Sequence, residues 1–307
     1  MSGWSPADIP DLSDRTALVT GVTSGLGAAT VLGLVRRGCE VVMAARDAAR
    51  LDRAVAVVRA DTPTARVHPL VLDLADQSSV RRAAEAAGVH GPLHLLVNNA
   101  GVMATPYRRT VDGFELQLGT NHFGHFALTG LLWPQLVASG SARVVTVASQ
   151  AHRLTRTAPT DDPRFTRHRY RRWQTYAQSK LANLMFTFEL DRRARSAGCP
   201  VAALAAHPGY ASTELMGSGR RLEGDTVRGR ILTAAFAVAG QKPEEGCLPT
   251  LMAATADLPG GSYVGPSGFL ELHGMPKVVG ASRLARDPLA ARELWELSQR
   301  VTGITYP

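Results

Sequence analysis

Short runs of apolar and β-branched residues alternate along the chain with longer stretches rich in alanine, leucine and arginine. Six runs have the length and composition of buried strands, and in chain order they are TALVT, CEVVMAA, RVHPLVL, LHLLV, ARVVTVA and CPVAALAA. Each run precedes a segment with helical character. Repeated β-α alternation predicts a parallel sheet with helices on both faces, so we expect an α/β fold with a doubly wound sheet of about seven strands, ordered 3-2-1-4-5-6.

No repeat, low-complexity tract or long linker divides the 307 residues. We therefore expect one domain over residues 1–307, with a leader at 1–14 and a basic insertion at 150–175. No apolar run approaches the roughly 18 to 20 residues that span a bilayer, and the leader carries acidic residues where a signal peptide needs an apolar stretch. A cytoplasmic protein without a membrane partner is the expectation.

Cysteine and histidine usage argues against a metal centre. Cys39, Cys199 and Cys247 are odd in number and far apart, with no CxxC pair, so they favour neither a disulfide framework nor a zinc site. We interpret them as small core residues. His122 and His125 lack a carboxylate or third ligand at metal spacing, and are interpreted as core or interface residues.

The chain is basic, with a formal net charge of +8. Only three of its 34 basic residues are lysine, and seven arginines against two aspartates fall within residues 151–173. Such a segment could bind nucleic acid. The segment is not accompanied by a groove with aromatic residues between the basic ones, or by the motif of a helix that reads DNA bases. A solvated basic loop is therefore favoured, and no nucleic-acid partner is expected.

A glycine-rich turn, TGVTSGLG, follows the first strand. Glycines at this place let the backbone approach a pyrophosphate at the N-terminus of the next helix, which is how Rossmann-type domains bind dinucleotides. The spacing is GxxxGxG rather than the commoner GxGxxG, and a tight turn without a ligand is the alternative. The residues assigned to a cofactor here are Gly21, Thr23, Ser24, Gly25, Leu26 and Gly27.

Two further strand ends carry polar residues. Asp73, followed by Leu74, comes after the third strand, where its carboxylate could accept from an adenine amine or could cap a helix. The motif NNAG follows the fourth strand, and its residues Asn99, Ala100 and Gly101 could form an ordinary turn or tie adjacent strand ends together beneath a cofactor. We assign all five residues to cofactor binding.

The end of the second strand, CEVVMAARD, bears on which dinucleotide is used. A NAD site places an acidic residue there to bond the ribose 2′-hydroxyl, but this position is Ala45. The next residue, Arg46, offers a fork of donors that suits a 2′-phosphate. Arg46 could instead be surface charge, and Asp47 would be the NAD carboxylate if the strand ended two residues later. NADP(H) is favoured over NAD(H).

The segment QTYAQSKLANLM places a tyrosine and a lysine four residues apart at the start of a helix. The core-directed face of this helix consists of Ala177, Leu181, Leu184, Met185 and Phe188. Tyr176 and Lys180 lie one turn apart along the margin of that face, so both polar heads should emerge at a core edge. A packed tyrosine and a lysine whose stem covers apolar surface would fit this pattern equally well.

Six motifs occur in one order at the ends of successive elements: TGVTSGLG, NNAG, Asn121 in GTNHFGHF, Ser149 in VVTVAS, the YxxxK pair and HPGYASTEL. As a set, over roughly residues 12–215, they resemble the short-chain dehydrogenase/reductase family. NHFGHFALT, the long stretch from Ser149 to the YxxxK tyrosine, and YAQSKLANLMFTFEL are most similar to its retinol dehydrogenase-like branch. Eukaryotic members of that branch commonly carry an N-terminal membrane anchor, which this sequence does not show. Protochlorophyllide reductases of the branch typically have a cysteine just after the YxxxK lysine, where this chain has Leu181 and Ala182.

The resemblance implies an oxidoreductase with Asn121, Ser149, Tyr176 and Lys180 as its catalytic residues. Tyr176 would donate a proton to the alkoxide that hydride transfer leaves. The ammonium of Lys180 would lower the pKa of that phenol and also hold the nicotinamide ribose. Ser149 would hydrogen-bond the substrate carbonyl, and Asn121 would hold a water that relays protons past Lys180.

HPGYASTEL follows the sixth strand. Pro208 and Gly209 would turn the chain so that the backbone near Tyr210 meets the carboxamide of the nicotinamide, and Thr213 would add a hydroxyl contact there. His207 beside them is interpreted as structural. Residues 210–240 combine a Gly/Arg-rich hinge with an apolar helix and should cover the substrate as a lid.

Together these inferences predict an NADP(H)-dependent enzyme that interconverts an alcohol with a ketone or aldehyde. The alternative is a non-catalytic NADP(H)-sensing binding protein of the same fold, which would have no need of the phenol. Helices at about 111–138 and 173–197 could pair with a second subunit, as similar helices do in many relatives, so a homodimer is expected. No motif constrains the identity of the small-molecule substrate.

Overall fold

Eight strands form one sheet in the computed structural model, which describes residues 3–166, 169–209 and 241–307. The strands are β1 Thr16–Thr20, β2 Glu40–Ala45, β3 Val67–Val71, β4 Leu95–Asn98, β5 Ala142–Val147, β6 Val201–Ala206, β7 Tyr263–Pro266 and β8 Pro276–Val278. Their order across the sheet is β3-β2-β1-β4-β5-β6-β7-β8. All neighbouring pairs from β3 to β7 are parallel, and β8 runs antiparallel to β7.

Helices cover both faces of this sheet. They are α1 Gly25–Val35, α2 Ala48–Asp61, α3 Gln77–Ala87, α4 Leu116–Leu118, α5 Gly124–Leu131, α6 Trp133–Ala138, α7 Arg172–Ser196, α8 Pro243–Gly246, α9 Leu248–Thr255 and α10 Pro288–Thr302. A π-helical segment, Gly119–Phe123, joins α4 to α5, and short 3-10 turns occupy Pro6–Asp8, Gly88–His90, Gln150–Leu154, Phe269–Glu271 and Leu284–Arg286. Within the described residues, no helix combines the length and the apolar character needed to cross a bilayer.

The pleat of β1 shows why the sheet needs a helical layer on each side. Successive side chains of a strand point to opposite faces. Leu18 packs into the core that contains α3, α5 and α6, whereas Ala17 and Val19 pack into the core that contains α1, α2 and α9. Strands that are apolar on both faces are typical of a parallel sheet buried in a doubly wound fold. The predicted fold class is therefore confirmed.

The six predicted strands are present, each within two residues of its predicted limits, and their order 3-2-1-4-5-6 is confirmed. The C-terminal segment adds β7 and β8, so the sheet has one strand more than the predicted seven. The short edge strand β8 contains Pro276 and Lys277, which make its open edge a poor template for pairing with another chain. The predicted lid at 210–240 lies outside the described residues.

The helix predicted over about 111–138 is divided into α4, the π-helical segment, α5 and α6. A glycine stands at the junction of the π-helical segment with α5 because the chain is crowded there, and a Cβ at Gly124 would overlap the carbonyl oxygen of Leu74. Pro134 at the start of α6 has no N–H to continue the preceding helix. The wider π-helical turn contains Asn121, and such single turns are frequent at functional sites.

The C-terminal helix α10 packs along α7. The ring of Trp295 stacks on Phe186 with centroids 6.0 Å apart, and the guanidinium of Arg193 lies 4.7 Å from the Trp295 ring centroid. Beyond α10, the hydroxyl of Tyr306 donates to the carbonyl of Phe126 on α5 at 3.1 Å. The chain's own C-terminus thus covers part of the two helices on which a second subunit was expected to pair. A homodimer remains a prediction, and it would use the faces of these two helices that the C-terminal segment leaves uncovered.

Replacing Trp295 with alanine should lower the free energy of unfolding by about 3 to 5 kcal/mol, because the lost ring leaves a cavity between α7 and α10. Trp173→Ala is the matched control, since that ring is 55% exposed and its loss should cost no more than about 0.5 kcal/mol. Urea denaturation followed by circular dichroism measures both. Equal losses would show that the α7–α10 contact contributes little.

Candidate active site

The glycine-rich turn lies at the carboxyl edge of the sheet, directly after β1. Gly21 has a φ of +74° and Gly25 a φ of +58°, values that residues with a side chain rarely adopt. A Cβ at Gly27 would overlap the carbonyl oxygen of Gly21, and one at Gly21 would lie 2.8 Å from the Cα of Ala100. The turn needs glycine both for its own conformation and for the close approach of the chain after β4.

The N-terminus of α1 fits the pyrophosphate of a dinucleotide. The first turn of α1 contains no acidic side chain, and its glycines add nothing that would cover the backbone N–H groups. Thr23, Ser24 and Leu26 are partly exposed along the same turn. The positive end of a helix dipole beside bare backbone suits an anionic ligand.

The side-chain hydroxyl of Thr20, the last residue of β1, holds the NNAG turn in place. It accepts hydrogen bonds from the backbone N–H groups of Asn99 and Ala100 at 3.0 and 2.9 Å. In return the Asn99 amide donates to the carbonyl of Thr20 at 2.7 Å. Of the two alternatives for NNAG, the structure therefore has the one in which the motif ties β1 to β4.

The same hydroxyl reaches a histidine that the sequence analysis placed only in the core. His125 Nε2 lies 3.0 Å from Thr20 Oγ1, and His125 Nδ1 lies 3.0 Å from the carbonyl oxygen of Asn121. Burial lowers the pKa of His125 to about 4, so the ring is neutral. Its Nδ1–H must donate to the carbonyl, which leaves Nε2 to accept from Thr20. This histidine connects the cofactor edge to the π-helical segment.

The side chain of Asn121 makes three hydrogen bonds within the protein, and both of its N–H donors are used. Its Oδ1 accepts from the N–H of Val102 at 2.8 Å, and its Nδ2 donates to the Val102 carbonyl at 3.0 Å and to Ser179 Oγ at 2.9 Å. Asn121 thereby joins the chain after NNAG to α7. The backbone carbonyl of Asn121, with one lone pair on His125, keeps a second lone pair for a water.

Three of the predicted catalytic residues converge where β5 ends. Ser149 caps the 3-10 turn Gln150–Leu154 that follows β5, and its hydroxyl accepts from the N–H of Ala151 at 3.2 Å. This hydroxyl is close enough to the phenol of Tyr176 to lower the pKa of that phenol. Lys180 Nζ donates to the carbonyl of Val147 at 2.9 Å and lies 5.9 Å from the centroid of the Tyr176 ring.

Burial dominates the protonation of this pair. It raises the pKa of Tyr176 to about 12, although the nearby hydroxyl of Ser149 opposes the shift. It also lowers the pKa of Lys180 to about 8. In the protein without cofactor, burial therefore outweighs the expected lowering of the phenol pKa by the ammonium. At neutral pH the phenol carries its proton, and the ammonium keeps most of its charge.

His152, which the sequence analysis did not single out, fixes the turn that carries Ser149. Its Nδ1 lies 2.7 Å from the carbonyl oxygen of Ser149, and its Nε2 accepts from the N–H of Ser282 at 3.1 Å. Burial lowers its pKa to about 4, which keeps the ring neutral. His152 lies inside the basic insertion, whose arginines hid it. The insertion is thus not only a solvated loop.

His207 holds the turn after β6. Its Nδ1 accepts from the N–H of Gly209 at 3.2 Å, so Nε2 carries the proton and donates to Glu271 Oε2 at 3.0 Å. Gly209 has a φ of +68°, which explains a glycine after Pro208. These contacts support the structural interpretation of His207. Of the residues assigned to the carboxamide, Thr213 lies outside the described residues.

The remaining strand-end residues separate into ligand candidates and helix caps. Asp73 accepts from the N–H of Ala75 at 2.9 Å, but the cap of α3 is Asp76, so the capping alternative for Asp73 is wrong. Asp47 caps α2 by accepting from the N–H of Arg50 at 2.9 Å. β2 ends at Ala45, so the exposed Arg46 directly follows the strand.

The chain is similar to known proteins over most of its length. The family model described as short chain dehydrogenase matches residues 15–160. Human retinol dehydrogenase 13 is 37% identical over 304 residues, 99% of this chain and 88% of that protein. A crystal structure of an uncharacterized protein from Mycobacterium Paratuberculosis is 45% identical, covers 100% of both chains and has a TM-score of 0.78. An NADPH-bound short chain oxidoreductase from Pseudomonas aeruginosa PAO1 with an atypical catalytic center is 25% identical over 83% of this chain and 95% of its own, with a TM-score of 0.63.

The doubly wound sheet, the glycine-rich turn and these matches define the class of Rossmann-fold oxidoreductases that use a nicotinamide dinucleotide. Within that class, the chain belongs to the short-chain dehydrogenase/reductase family, in its retinol dehydrogenase-like branch. The resemblance inferred from the six motifs is confirmed.

Thr20→Val should lower the free energy of unfolding by about 1 to 3 kcal/mol, because two backbone N–H groups and His125 lose their buried partner. Thr146→Val is the matched control on β5. Its hydroxyl is equally buried but has no hydrogen-bond partner in the described structure, so its loss should be neutral or stabilising. Urea denaturation compares the two, and a Thr20 variant as stable as the Thr146 variant would contradict the role given to this hydroxyl.

Proposed function

We propose that the chain is an NADP(H)-dependent oxidoreductase that interconverts an alcohol with a ketone or aldehyde. The observation that carries the proposal is the convergence of Ser149, Tyr176 and Lys180 at the carboxyl edge of the sheet. The phenol is buried and close to Ser149, and its ring centroid lies 5.9 Å from the ammonium of Lys180. A protein that only senses NADP(H) would have no need of a phenol held in this way.

Tyr176 acts as the proton donor in reduction. When bound, the nicotinamide supplies or accepts the hydride. Because the pKa of Tyr176 is raised to about 12, the phenol is protonated at neutral pH and can give its proton to the oxygen of the substrate. Ser149 holds that oxygen in line with the phenol, which removes the orientational part of the barrier.

Lys180 supports both catalysis and cofactor binding. One of its three N–H donors is used on the Val147 carbonyl, and the other two can hold ribose hydroxyls. Its charge stabilises the phenolate that remains after proton transfer. We assign the relay water to the backbone carbonyl of Asn121 rather than to its side chain, whose amide is occupied by Val102 and Ser179.

The choice of NADP(H) rests on the end of β2. Arg46 is exposed directly after the strand, and Asp47 uses its carboxylate to cap α2, which argues against the NAD alternative. The relative from Pseudomonas aeruginosa is described with NADPH bound. We further assign Asp73 and Leu74 to the adenine, and Asn99, Ala100 and Gly101 to the floor of the nucleotide site.

We infer that the substrate is an apolar alcohol or carbonyl compound. Human retinol dehydrogenase 13 is named for retinol, a long apolar alcohol. In this chain Glu271 accepts a hydrogen bond from His207 at the turn after β6. Two apolar residues, Phe269 and Leu270, come directly before it, and their side chains are 75% and 68% exposed. Three free cysteines favour a reducing compartment, consistent with the cytoplasmic location that we propose.

Tyr176→Phe should reduce kcat by about 10²- to 10⁴-fold while leaving NADPH affinity nearly unchanged, because the ring still packs but no proton donor remains. NADPH consumption against a panel of polar and long apolar aldehydes and ketones measures the turnover. Tyr107→Phe, which removes an exposed phenol outside the site, is the control. If the wild type and Tyr176→Phe bind NADPH equally and neither turns over any compound, the sensing alternative gains.

Arg46→Ala should weaken NADPH binding by about ten- to a hundred-fold and leave NADH binding nearly unchanged, since a charge-assisted hydrogen bond is worth about 1.5 to 3 kcal/mol. Ala45→Asp combined with Arg46→Ile should move the preference toward NADH. Fluorescence titration of both dinucleotides measures this, with Arg53→Ala, another exposed arginine nearby on α2, as the control. Equal use of both dinucleotides by the wild type would show that Arg46 is surface charge.

A further inference from the structure

Two histidines and a glutamate meet at the edge of the sheet opposite the candidate active site. Glu40 begins β2, His68 is the second residue of β3, and His90 ends the 3-10 turn after α3. Parallel pairing brings the starts of β2 and β3 to the amino-terminal edge, and the turn that ends at His90 lies beside them. The catalytic residues lie at the carboxyl edge, so this cluster takes no part in the proposed chemistry.

The donor atoms of this cluster are at the spacing of metal ligands. His68 Nε2 lies 3.0 Å and His90 Nδ1 lies 3.7 Å from the same carboxylate oxygen, Glu40 Oε1, and all three atoms lie within 4.8 Å of one another. Donor atoms around a tetrahedral zinc ion are about 3.3 Å apart. The two measured distances fall on either side of that value, so small rotations of the side chains would complete a three-ligand site.

One of these atoms has no satisfactory partner in the protein. His68 Nε2 is shielded from solvent and, among the described residues, makes no hydrogen bond of acceptable geometry in spite of its nearness to Glu40. A buried ring nitrogen without a partner costs free energy. The rings of His68 and His90 also lie side by side, with centroids 4.4 Å apart. Both features are expected of imidazoles arranged around a shared ion.

We propose that Glu40, His68 and His90 bind one divalent transition-metal ion, with Zn²⁺ as the best match. Two imidazoles and a carboxylate suit zinc, nickel or copper, whereas magnesium and calcium prefer oxygen ligands. The side chains are partly exposed, so water completes the coordination. The ion joins the starts of β2 and β3 to the turn after α3, and therefore stabilises the fold far from the nucleotide site.

Arg66 sets the strength of the site. Its Nη1 lies 3.3 Å from Glu40 Oε2, whereas both histidines lie near Glu40 Oε1. The positive charge of Arg66 repels a cation, so the arginine keeps the affinity for metal below what the three ligands alone would give.

Isothermal titration calorimetry of the full chain, freed of metal with a chelator, tests the proposal. We expect one Zn²⁺ per chain, no binding of Mg²⁺, and an upward shift of the thermal midpoint with Zn²⁺ because the ion binds the folded state. His68→Asn and His90→Asn should each weaken Zn²⁺ binding by more than about tenfold, since losing even an outer-shell partner costs about 10- to 100-fold.

Two further variants separate this site from casual binding by other histidines. His273→Asn changes an exposed histidine outside the cluster and should leave Zn²⁺ affinity unchanged. Arg66→Gln should increase that affinity, because it removes the competing cation. Glu40→Gln tests the carboxylate if a histidine variant does not fold. Zn²⁺ binding of the same strength in the wild type, His68→Asn and His90→Asn, or no saturable binding to the wild type, would overturn the proposal.

Discussion

The hydroxyl of Thr20 is the contact on which the carboxyl edge of the sheet depends. It accepts from two backbone N–H groups of the NNAG turn and pairs with His125, so one oxygen connects β1, β4 and the π-helical segment. Asn121 extends the network to α7. Because a buried polar group without a partner is costly, such a network permits only one arrangement of these elements. The glycine-rich turn after β1 and the helix α7 are positioned by the same set of hydrogen bonds.

Burial of α7 sets the chemistry that this arrangement allows. The helix packs against β6 and α10, and it carries Tyr176 and Lys180 into a region from which water is excluded. Desolvation favours the neutral form of each group, so it raises the pKa of the phenol and lowers that of the ammonium. At neutral pH the phenol of Tyr176 is therefore protonated, and the ammonium of Lys180 keeps most of its charge.

Much of the fold and part of the site could be predicted from local patterns. The six strands and their order followed from apolar runs and β-α alternation, and the motifs identified the family. The predictions were weaker where a residue's role depends on its neighbours in space. A helix cap was one of the two roles that the sequence left open for Asp73, but in the structure Asp76, which the sequence analysis did not consider, caps α3. His152 in the arginine-rich insertion gave no signal, although it holds the turn of Ser149.

By itself the sequence determined what depends on short-range geometry: strand and helix periods, glycines at positive φ, and the four-residue spacing that puts Tyr176 and Lys180 on one side of a helix. Only the tertiary structure decided the pairings between distant residues. Thr20 and His125 are 105 positions apart, and His152 and Ser282 are 130 apart. Hydrogen bonds and ligand sets need directional contact between such residues, and no local period encodes that contact. The meeting of Glu40, His68 and His90 arises in the same way, because parallel strands start at a common edge.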